Sequence, residues 1–403
     1  MQLRLRAHLP ASLRRTSSLG RSRTRKYAPS RAAGVRRNLA RQLRSRAGFV
    51  LVLAVLVGVG ESARADDSFV AKTQIYTDSD HTTVVSPLAA LSRDAWKGGT
   101  LSASYVADVV SSASIDVVSN ATTHMNDFRS EITAGLVQKL RNTTLSGSYV
   151  YSVENDYQSH NVELGLAQDL FEKNSTLAFG ATFSSNDVYR TGDQSFHRKL
   201  TVGGVSGSWT QVLDRATIAQ LSYTFSYGNG YWASPYRFVR VETPDLAAIE
   251  FKVPETEPNE RYRHAAVIGL NRHLWSDTSL QGDYRFYADN WGITSHTVQL
   301  RYFVTWKDVT LRLRERFYYQ SGASFFRPHY TAATLQPFVT ADRELSTFWS
   351  NVAGFKISWR LPWVHRALEL EAKVDYFHFG YVNFALLASR DGADIEAGLN
   401  VIY

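Results

Sequence analysis

The sequence predicts an all-β protein, a transmembrane antiparallel β-barrel of about 16 strands over residues 66–403. Three observations predict this fold. Apolar and polar residues alternate in segments of about ten residues, short and long connections alternate along the chain, and tryptophan stands at segment ends. A closed membrane-spanning barrel shows this combination, because lipid meets one side of every strand and the interior meets the other.

The last segment illustrates the alternation. Its apolar residues fall on one face: Ile395, Ala397, Leu399, Val401 and Tyr403. The residues between them are mainly polar or small, as in a half-buried strand with a period of two. An aromatic residue that closes the last strand resembles the signal read by the barrel-assembly machinery, so Tyr403 is the expected assembly signal.

Short and long connections alternate between the segments. The short ones are predicted to be periplasmic turns: Arg93–Gly99, Lys139–Asn142, Asp169–Asn174, Leu213–Arg215, Leu274–Asp277, Lys307–Asp308 and Arg360–Arg366. The long ones are predicted to be extracellular loops: Ser111–Asp127, Asn186–Arg198, Gly230–Arg261, Gln320–Glu344 and Gly380–Ala393. Bacterial barrels have this asymmetry.

Sixteen strands follow from these connections. They are predicted to begin near residues 69, 82, 100, 128, 143, 160, 175, 199, 216, 262, 278, 296, 309, 345, 367 and 394. Fourteen strands is the alternative, because the first pair is poorly patterned.

Tryptophan placement supports the same arrangement. Six tryptophans fall at or beside predicted periplasmic turns: Trp96, Trp209, Trp275, Trp306, Trp359 and Trp363. Three fall near predicted extracellular strand ends: Trp232, Trp291 and Trp349. We expect them to form the two interfacial girdles of a membrane barrel. A general preference of tryptophan for strand ends is the alternative explanation.

Residues 1–65 are predicted to be a signal peptide. Thirteen arginines and Lys26 precede a fourteen-residue uncharged apolar run from Ala47 to Gly60, and the small-x-small site Ala63–Ala65 follows. This run is shorter than the roughly 20 residues that a spanning helix needs, and the order of regions is that of a secretory signal. The basic region is unusually long, which favours a start codon placed too far upstream. Cleavage is expected after Ala65.

The formal charge of +8 depends on this segment. Its removal takes away 15 of 45 basic residues and one of 37 acidic residues, and leaves a net charge near −6. Nucleic-acid binding, which the whole-chain charge would suggest, is therefore not expected. The chain has no cysteine, which excludes thiol nucleophiles, iron–sulfur clusters and haem attachment through cysteine.

Charged residues fall on the inward phase of the patterned strands. Six arginines on four consecutive strands would form one basic wall: Arg263, Arg285, Arg301, Arg312, Arg314 and Arg316. Three acidic residues two strands further on would form an opposing wall: Glu369, Glu371 and Asp375. An outward arginine at the bilayer midplane would cost roughly 2–4 kcal/mol. Arg301, Arg312 and Arg314 are therefore predicted to line the lumen together. Glu315 interrupts the apolar face and is expected near its outer edge.

Two functions are compatible with these walls. Opposed basic and acidic walls focus a field across a water-filled pore, which would select small polar or anionic solutes. The alternative is a closed structural or interaction barrel, whose charges pair across the lumen and whose loops Gly230–Arg261 and Gln320–Glu344 bind a partner or fold in as a plug. Outer-membrane lipid and the barrel-assembly machinery are the other expected partners. The oligomeric state is left open.

Four segments carry a resemblance to a known family: DVVSSASIDVVSNAT at 108–122, YSVENDYQSH at 151–160, YADNWGITSHT at 287–297 and RFYYQSGASFFRP at 316–328. Together they resemble a bacterial family catalogued as domain of unknown function 3570. One departure is Ser112, where the family pattern has glycine. The resemblance implies an outer-membrane barrel over nearly all of residues 66–403, and it implies no catalytic residues.

Catalytic and metal-binding patterns are weak. Outer-membrane lipid hydrolases place histidine and serine two residues apart on one strand face, and none of the eleven histidines has serine at this spacing. Asp78 and Asp80 with Asp116 could hold calcium through oxygen ligands, but their spacing is not that of a known calcium loop. We therefore expect a protein without enzymatic activity, bound metal or cofactor. An outer-membrane hydrolase is the third alternative.

Overall fold

The computed structural model describes residues 67–112, 125–242, 251–362 and 367–402. The strands, in chain order, are β1 (Ser68–Asp78), β2 (Thr82–Trp96), β3 (Gly99–Ser112), β4 (Met125–Lys139), β5 (Thr143–Val153), β6 (Tyr157–Leu170), β7 (Ser175–Arg190), β8 (Asp193–Asp214), β9 (Thr217–Gly230), β10 (Phe238–Glu242), β11 (Phe251–Pro254), β12 (Glu260–His273), β13 (Thr278–Asp289), β14 (Thr294–Trp306), β15 (Val309–Gln320), β16 (Tyr330–Thr331), β17 (Phe348–Leu361), β18 (Ala367–Tyr381) and β19 (Ser389–Ile402). Short 3-10 turns lie at Phe171–Lys173 and Arg343–Leu345. No helix in these ranges has the length and hydropathy needed to cross a membrane. The predicted signal peptide (1–65) and the predicted assembly signal Tyr403 lie outside the described residues.

Sixteen strands close into one antiparallel barrel in the order β1-β19-β18-β17-β15-β14-β13-β12-β9-β8-β7-β6-β5-β4-β3-β2. Closure is made by β1, which pairs with β2 on one side and with β19 on the other, so that Ser68 lies opposite Ile402. A closed barrel has no open sheet edge, and its backbone N–H and C=O groups bond between neighbouring strands. The predicted fold and the count of sixteen are confirmed, and the strands begin within six residues of the predicted positions.

The described connections follow the predicted asymmetry with one exception, and residues 113–124 of the predicted loop Ser111–Asp127 and 363–366 of the predicted turn Arg360–Arg366 lie outside the described ranges. The segment Asn186–Arg198 was expected to be a long loop, but β7 and β8 continue through it and turn tightly at Thr191–Gly192, where Gly192 has a φ of +84°. Within this hairpin His197 Nε2 lies 2.7 Å from Asp187 Oδ1, and the His197 ring stacks on Tyr189. The loop prediction is wrong because a strand with polar residues on both faces has the composition of a loop.

The outer surface of the barrel is apolar. Large hydrophobic side chains are exposed on it around the whole circumference: Leu101, Ile132, Leu164, Phe179, Val205, Leu221, Ile268, Leu300, Leu313, Phe355, Val374 and Ile395. They alternate along each strand with inward residues that are mainly polar or small. A wall of this kind is stable where it meets lipid rather than water.

Tryptophan marks the turn end of the barrel, as predicted. Five tryptophans are exposed there, and Trp363 lies outside the described residues: the five are Trp96, Trp209, Trp275, Trp306 and Trp359.

At the loop end the girdle prediction is wrong for Trp232 and Trp291. Their rings pack against each other at 5.9 Å, and Trp291 is only 2 % exposed. The ring of Trp291 faces the Arg261 guanidinium at 4.0 Å and its N–H donates to Glu260 O, so this tryptophan belongs to the interior.

Tyrosine and histidine occupy the outer surface near the loop end. Three cross-strand pairs repeat there with a hydroxyl-to-Nδ1 distance of 2.6–2.8 Å: Tyr149–His160, Tyr223–His264 and Tyr284–His296. These side chains combine an apolar ring with a polar end, which suits the boundary between lipid and water.

A small sheet covers the loop end. β10 pairs antiparallel with β11 and parallel with β16, which brings the two longest loops together. Val239, Val241, Tyr330 and Val339 form its core, and each is at most 4 % exposed. We call the described residues 231–242, 251–259 and 321–347 the cap.

Glu315 lies near the middle of the wall and faces outward. On β15 it alternates in phase with Leu313 and Phe317, which are 55 % and 45 % exposed, and it lies opposite Leu300 of β14. The expectation that Glu315 lies at the outer edge is wrong, because β15 continues five residues beyond it to Gln320.

Replacing Glu315 with leucine should stabilise the barrel in a bilayer by about 1 kcal/mol, because a carboxylate on the lipid face is less favourable than an apolar side chain. Urea unfolding in lipid vesicles, followed by tryptophan fluorescence, measures the change. The control is Glu163→Leu, since Glu163 lies on the inward phase of β6, and it should show no such gain. A loss of stability in Glu315→Leu would contradict direct contact with lipid.

Candidate functional site

The lumen has two unlike halves. On β3 to β9 the inward positions hold mostly small residues: Ser102, Ser104, Thr133, Gly135, Ser146, Ser148, Gly165, Gly180, Thr182, Gly204, Ser206, Thr224 and Ser226. Several of them, including Ser102, Thr182 and Ser206, are exposed towards the interior. Because these side chains are short and exposed, this half of the wall leaves open space in the lumen.

The other half carries the charged residues that the sequence singled out. Arg263, Arg285, Arg301, Arg312, Arg314 and Arg316 occupy inward positions on β12 to β15, and Glu369, Glu371 and Asp375 occupy inward positions on β18. Arg301 lies directly opposite Arg314, and Gln299 lies opposite Arg316. The prediction that the basic and acidic sets oppose each other across the lumen is wrong. Only β17 separates β15 from β18, so the two sets lie on the same side of the barrel.

Two of the arginines are held by carboxylates. Arg301 pairs with Asp283 on the adjacent strand, and Arg314 Nη1 lies 2.8 Å from Asp375 Oδ2. The second pair reaches across β17 at Gly354, where an added Cβ would lie 2.0 Å from Asp375 Oδ1. Glycine at 354 therefore permits the contact between β15 and β18.

Lysines neutralise Glu371 on β18 and two acidic residues on β19. Glu371 lies between Lys72 of β1 and Lys356 of β17, with both N···O distances at 2.5 Å. Lys373 lies 3.1 Å from Asp394 and 3.3 Å from Glu396. Sequence reasoning missed Lys72 and Lys356, although each stands on the inward phase of its strand.

Three inward arginines lack an acidic partner. Among the residues that the structure describes, Arg285, Arg312 and Arg316 form no ion pair. Nε and Nη2 of Arg312 are buried without a hydrogen-bond partner, and the Arg316 guanidinium lies 5.7 Å from the Tyr318 ring centre. With Arg301 and Arg314 between them, they leave this part of the lumen positively charged.

Aromatic residues narrow the lumen on the loop side of the charged layer. Tyr76 stacks on Phe377 at 5.2 Å, and both pack with the inward residues Val84 and Val352. A second cluster joins the cap to the wall and consists of Trp291, Ile293, Ala323, Phe325, Phe326, Leu345, Phe348, Tyr381 and Phe384.

The cap spans the mouth of the barrel, because it contacts opposite sides of the rim. Arg343 pairs with Asp80 in the turn between β1 and β2. Tyr236 accepts a hydrogen bond of 2.7 Å from Thr191 N at the tip of the β7–β8 hairpin, which lies across the ring of strands from β1.

Glu255 holds the cap together. Its side chain is fully buried and accepts hydrogen bonds from Ser234 N, Arg237 and Ala341 N at 3.1–3.2 Å, and also from the Thr340 hydroxyl. Burial raises the pKa of Glu255, and Arg237 partly offsets this shift. One carboxylate thus joins segments that are about 85 residues apart.

The calcium hypothesis for Asp78 and Asp80 is not supported. Asp78 Oδ1 accepts the backbone N–H groups of Asp80 and Thr82 at 3.0 Å, and Asp78 Oδ2 accepts the Tyr76 hydroxyl at 2.6 Å. Asp80 pairs with Arg343. These oxygens shape the turn and anchor the cap, and Asp116 lies outside the described residues.

Comparison with known proteins assigns the family. Residues 57–203 and 193–383 match the family described as "Protein of unknown function (DUF3570)". The chain belongs to this family. The resemblance found in the four sequence segments is confirmed, and the family extends over most of the barrel. No curated protein matches the sequence significantly.

Solved structures with a similar fold are outer-membrane barrels of low sequence identity. A bacterial polysaccharide outer membrane secretin is 8 % identical with a TM-score of 0.49, over 85 % of this chain and 100 % of its own. CdiB from Acinetobacter baumannii is 9 % identical with a TM-score of 0.48, over 84 % of this chain and 61 % of its own. OccD3 (OpdP) from Pseudomonas aeruginosa is 6 % identical with a TM-score of 0.43, over 84 % and 91 %. At these values the likeness concerns the barrel architecture alone.

Removing Asp375 should destabilise the barrel, because Asp375 is only 4 % exposed and its partner Arg314 would lose its carboxylate. We expect Asp375→Ala to lower the free energy of unfolding by about 1–3 kcal/mol. A double-mutant cycle with Arg314→Ala should give a coupling of similar size. The matched control is a cycle with Arg285→Ala, which should give a coupling near zero. Equal couplings in the two cycles would contradict the specific pair.

Proposed function

We propose that this protein is a channel of the bacterial outer membrane that binds and conducts small polar anions, and that the cap controls access from outside. The observation that carries the proposal is the set of inward arginines that have no acidic partner among the described residues, Arg285, Arg312 and Arg316. They lie beside a half of the lumen lined by short polar side chains. The proposal includes no catalytic step.

The arginines suit anionic solutes. A guanidinium presents several N–H groups in a plane and binds carboxylate or phosphate oxygens in pairs. An arginine already bound to a carboxylate, such as Arg301, has fewer of these groups available. The unpaired arginines at three positions on β13 and β15 would attract an anion and pass it along the wall.

Location in the outer membrane is supported by the closed barrel with its apolar exterior. The seven short turns would lie in the periplasm and the cap would lie outside the cell, according to the usual asymmetry of such barrels. The apolar wall would contact outer-membrane lipid, and the barrel-assembly machinery would insert the chain.

A closed interaction barrel is the second candidate, and the cap favours it. The buried core of the cap and its contacts on opposite sides of the rim obstruct the loop end. In this candidate the outer surface of the cap binds a partner and the lumen carries no solute.

Releasing the cap should raise conductance. In Glu255→Ala, four hydrogen-bond donors lose their acceptor. The cap segments should therefore separate, while the ring of sixteen barrel strands stays intact. Single-channel recording of the refolded chain in planar bilayers should show larger and longer openings than the wild type. The control is Glu242→Ala, because Glu242 is also in the cap but its side chain is 56 % exposed. If the cap is released in Glu255→Ala and the protein still conducts no ions, the result would favour the closed interaction barrel.

Reversing the unpaired arginines should reverse ion selectivity. In the Glu255→Ala background, Arg285, Arg312 and Arg316 are each replaced with glutamate, and the reversal potential is measured in a KCl gradient. The preference should change from chloride to potassium, because the charge of the lumen changes sign. As a control, the same replacements are made at Arg141, Arg215 and Lys307, which lie in the short turns. A reversal potential that does not change with the lumen triple would place these side chains away from the conducting path.

A further inference from the structure

We propose that Asp127, Glu154 and Asp156 form a calcium-binding site at the loop end of the barrel. Asp127 lies at the start of β4, and the other two lie in the turn between β5 and β6. One carboxylate oxygen from each residue lies within 4.8 Å of the others. The site is separate from the charged layer of the lumen and from the three unpaired arginines.

The spacing of the three oxygens suits calcium. Calcium binds oxygen ligands at about 2.3–2.6 Å, so two ligands on opposite sides of the ion are separated by up to about 5 Å. Three carboxylates within 4.8 Å of one another can therefore contact a single ion. Calcium takes six to eight oxygens in flexible geometry, so water would complete the shell.

Asp156 independently indicates a missing ligand. It is only 5 % exposed, yet its Oδ1 atom is buried without a hydrogen-bond partner. Burying a carboxylate oxygen without a hydrogen-bond partner costs folding free energy, and most buried polar atoms in native proteins have such a partner. A cation held by the three carboxylates would give the Asp156 carboxylate a partner.

The protein supplies little positive charge of its own at this point. Arg129 pairs with Asp108 and Glu131, so its charge is shared with two other carboxylates. Three carboxylates thus lie close together with little compensating positive charge, which a divalent cation would supply.

The neighbouring contacts orient the site and connect it to the cap. Asn155 Nδ2 and Phe128 N donate to Asp127 Oδ1 at 2.7 and 2.8 Å, which fixes this carboxylate. The hydroxyl of Tyr236 in the cap lies near Asp156 and accepts the bond from Thr191 N. Calcium would thus hold the β5–β6 turn in the position that receives the cap.

The test is a calcium titration of the full chain, refolded in detergent free of lipopolysaccharide and stripped with a chelator. Isothermal calorimetry with CaCl2 should give one saturable site per chain, with weaker binding of MgCl2. Asp156→Asn and Glu154→Gln, which keep the side-chain shape, should each lower calcium affinity about tenfold or more, because ligand charge governs affinity at such sites. Asp277→Asn, in an exposed short turn, should bind calcium like the wild type.

Heat-dependent gel mobility verifies that each variant is folded before titration. The proposal is wrong if the folded wild type binds no calcium, since the carboxylates would then share a proton instead. It is also wrong if folded Asp156→Asn and Glu154→Gln both bind as tightly as the wild type. Because the titration needs neither a conducting lumen nor a mobile cap, its outcome is independent of the proposed channel.

Discussion

The pairing of β1 with β19 is the constraint on which the rest of the structure depends. It turns a long antiparallel meander into a ring, so that each barrel strand has two neighbours and the two faces of the sheet become an outside and an inside. The period of two along each strand then decides what meets lipid and what meets the lumen. Lys72, for example, reaches Glu371 only because ring closure brings the first strand next to the last two.

The lumen is asymmetric because side-chain size and charge are distributed unequally around this ring. Short hydroxyl and glycine residues cover one side, whereas long charged residues project from the other. Most charges on the second side are compensated by pairs between nearby strands, such as Arg301 with Asp283 on adjacent strands and Arg314 with Asp375 across β17. The excess of arginine on β13 and β15 thus acts on an otherwise balanced surface, and it can dominate the local potential.

Much of the fold could be predicted from the sequence, since alternation and turn spacing act locally. The inward phase of Arg301 and Arg314 follows from the same pattern. Their partners Asp283 and Asp375 could not be assigned, because pairing depends on the register between strands and, for Arg314, on the glycine between them. The positions of Glu255 in the cap and of Trp291, which packs against the cap residue Phe325, were equally inaccessible, since the cap is built from segments distant in sequence and has no periodic pattern.

The chain order of the cap segments bears on folding. β10 and β16, which pair directly, are separated in sequence by the four barrel strands β12 to β15. Contacts between distant segments form slowly, because the chain must lose the conformational entropy of the long loop between them before the contact contributes any stability. The intervening hairpins β12–β13 and β14–β15 must form before these segments can meet. The cap is therefore a late product of assembly, and a barrel halted before that step would leave Val239 and Val241 exposed to water, an apolar surface prone to aggregation.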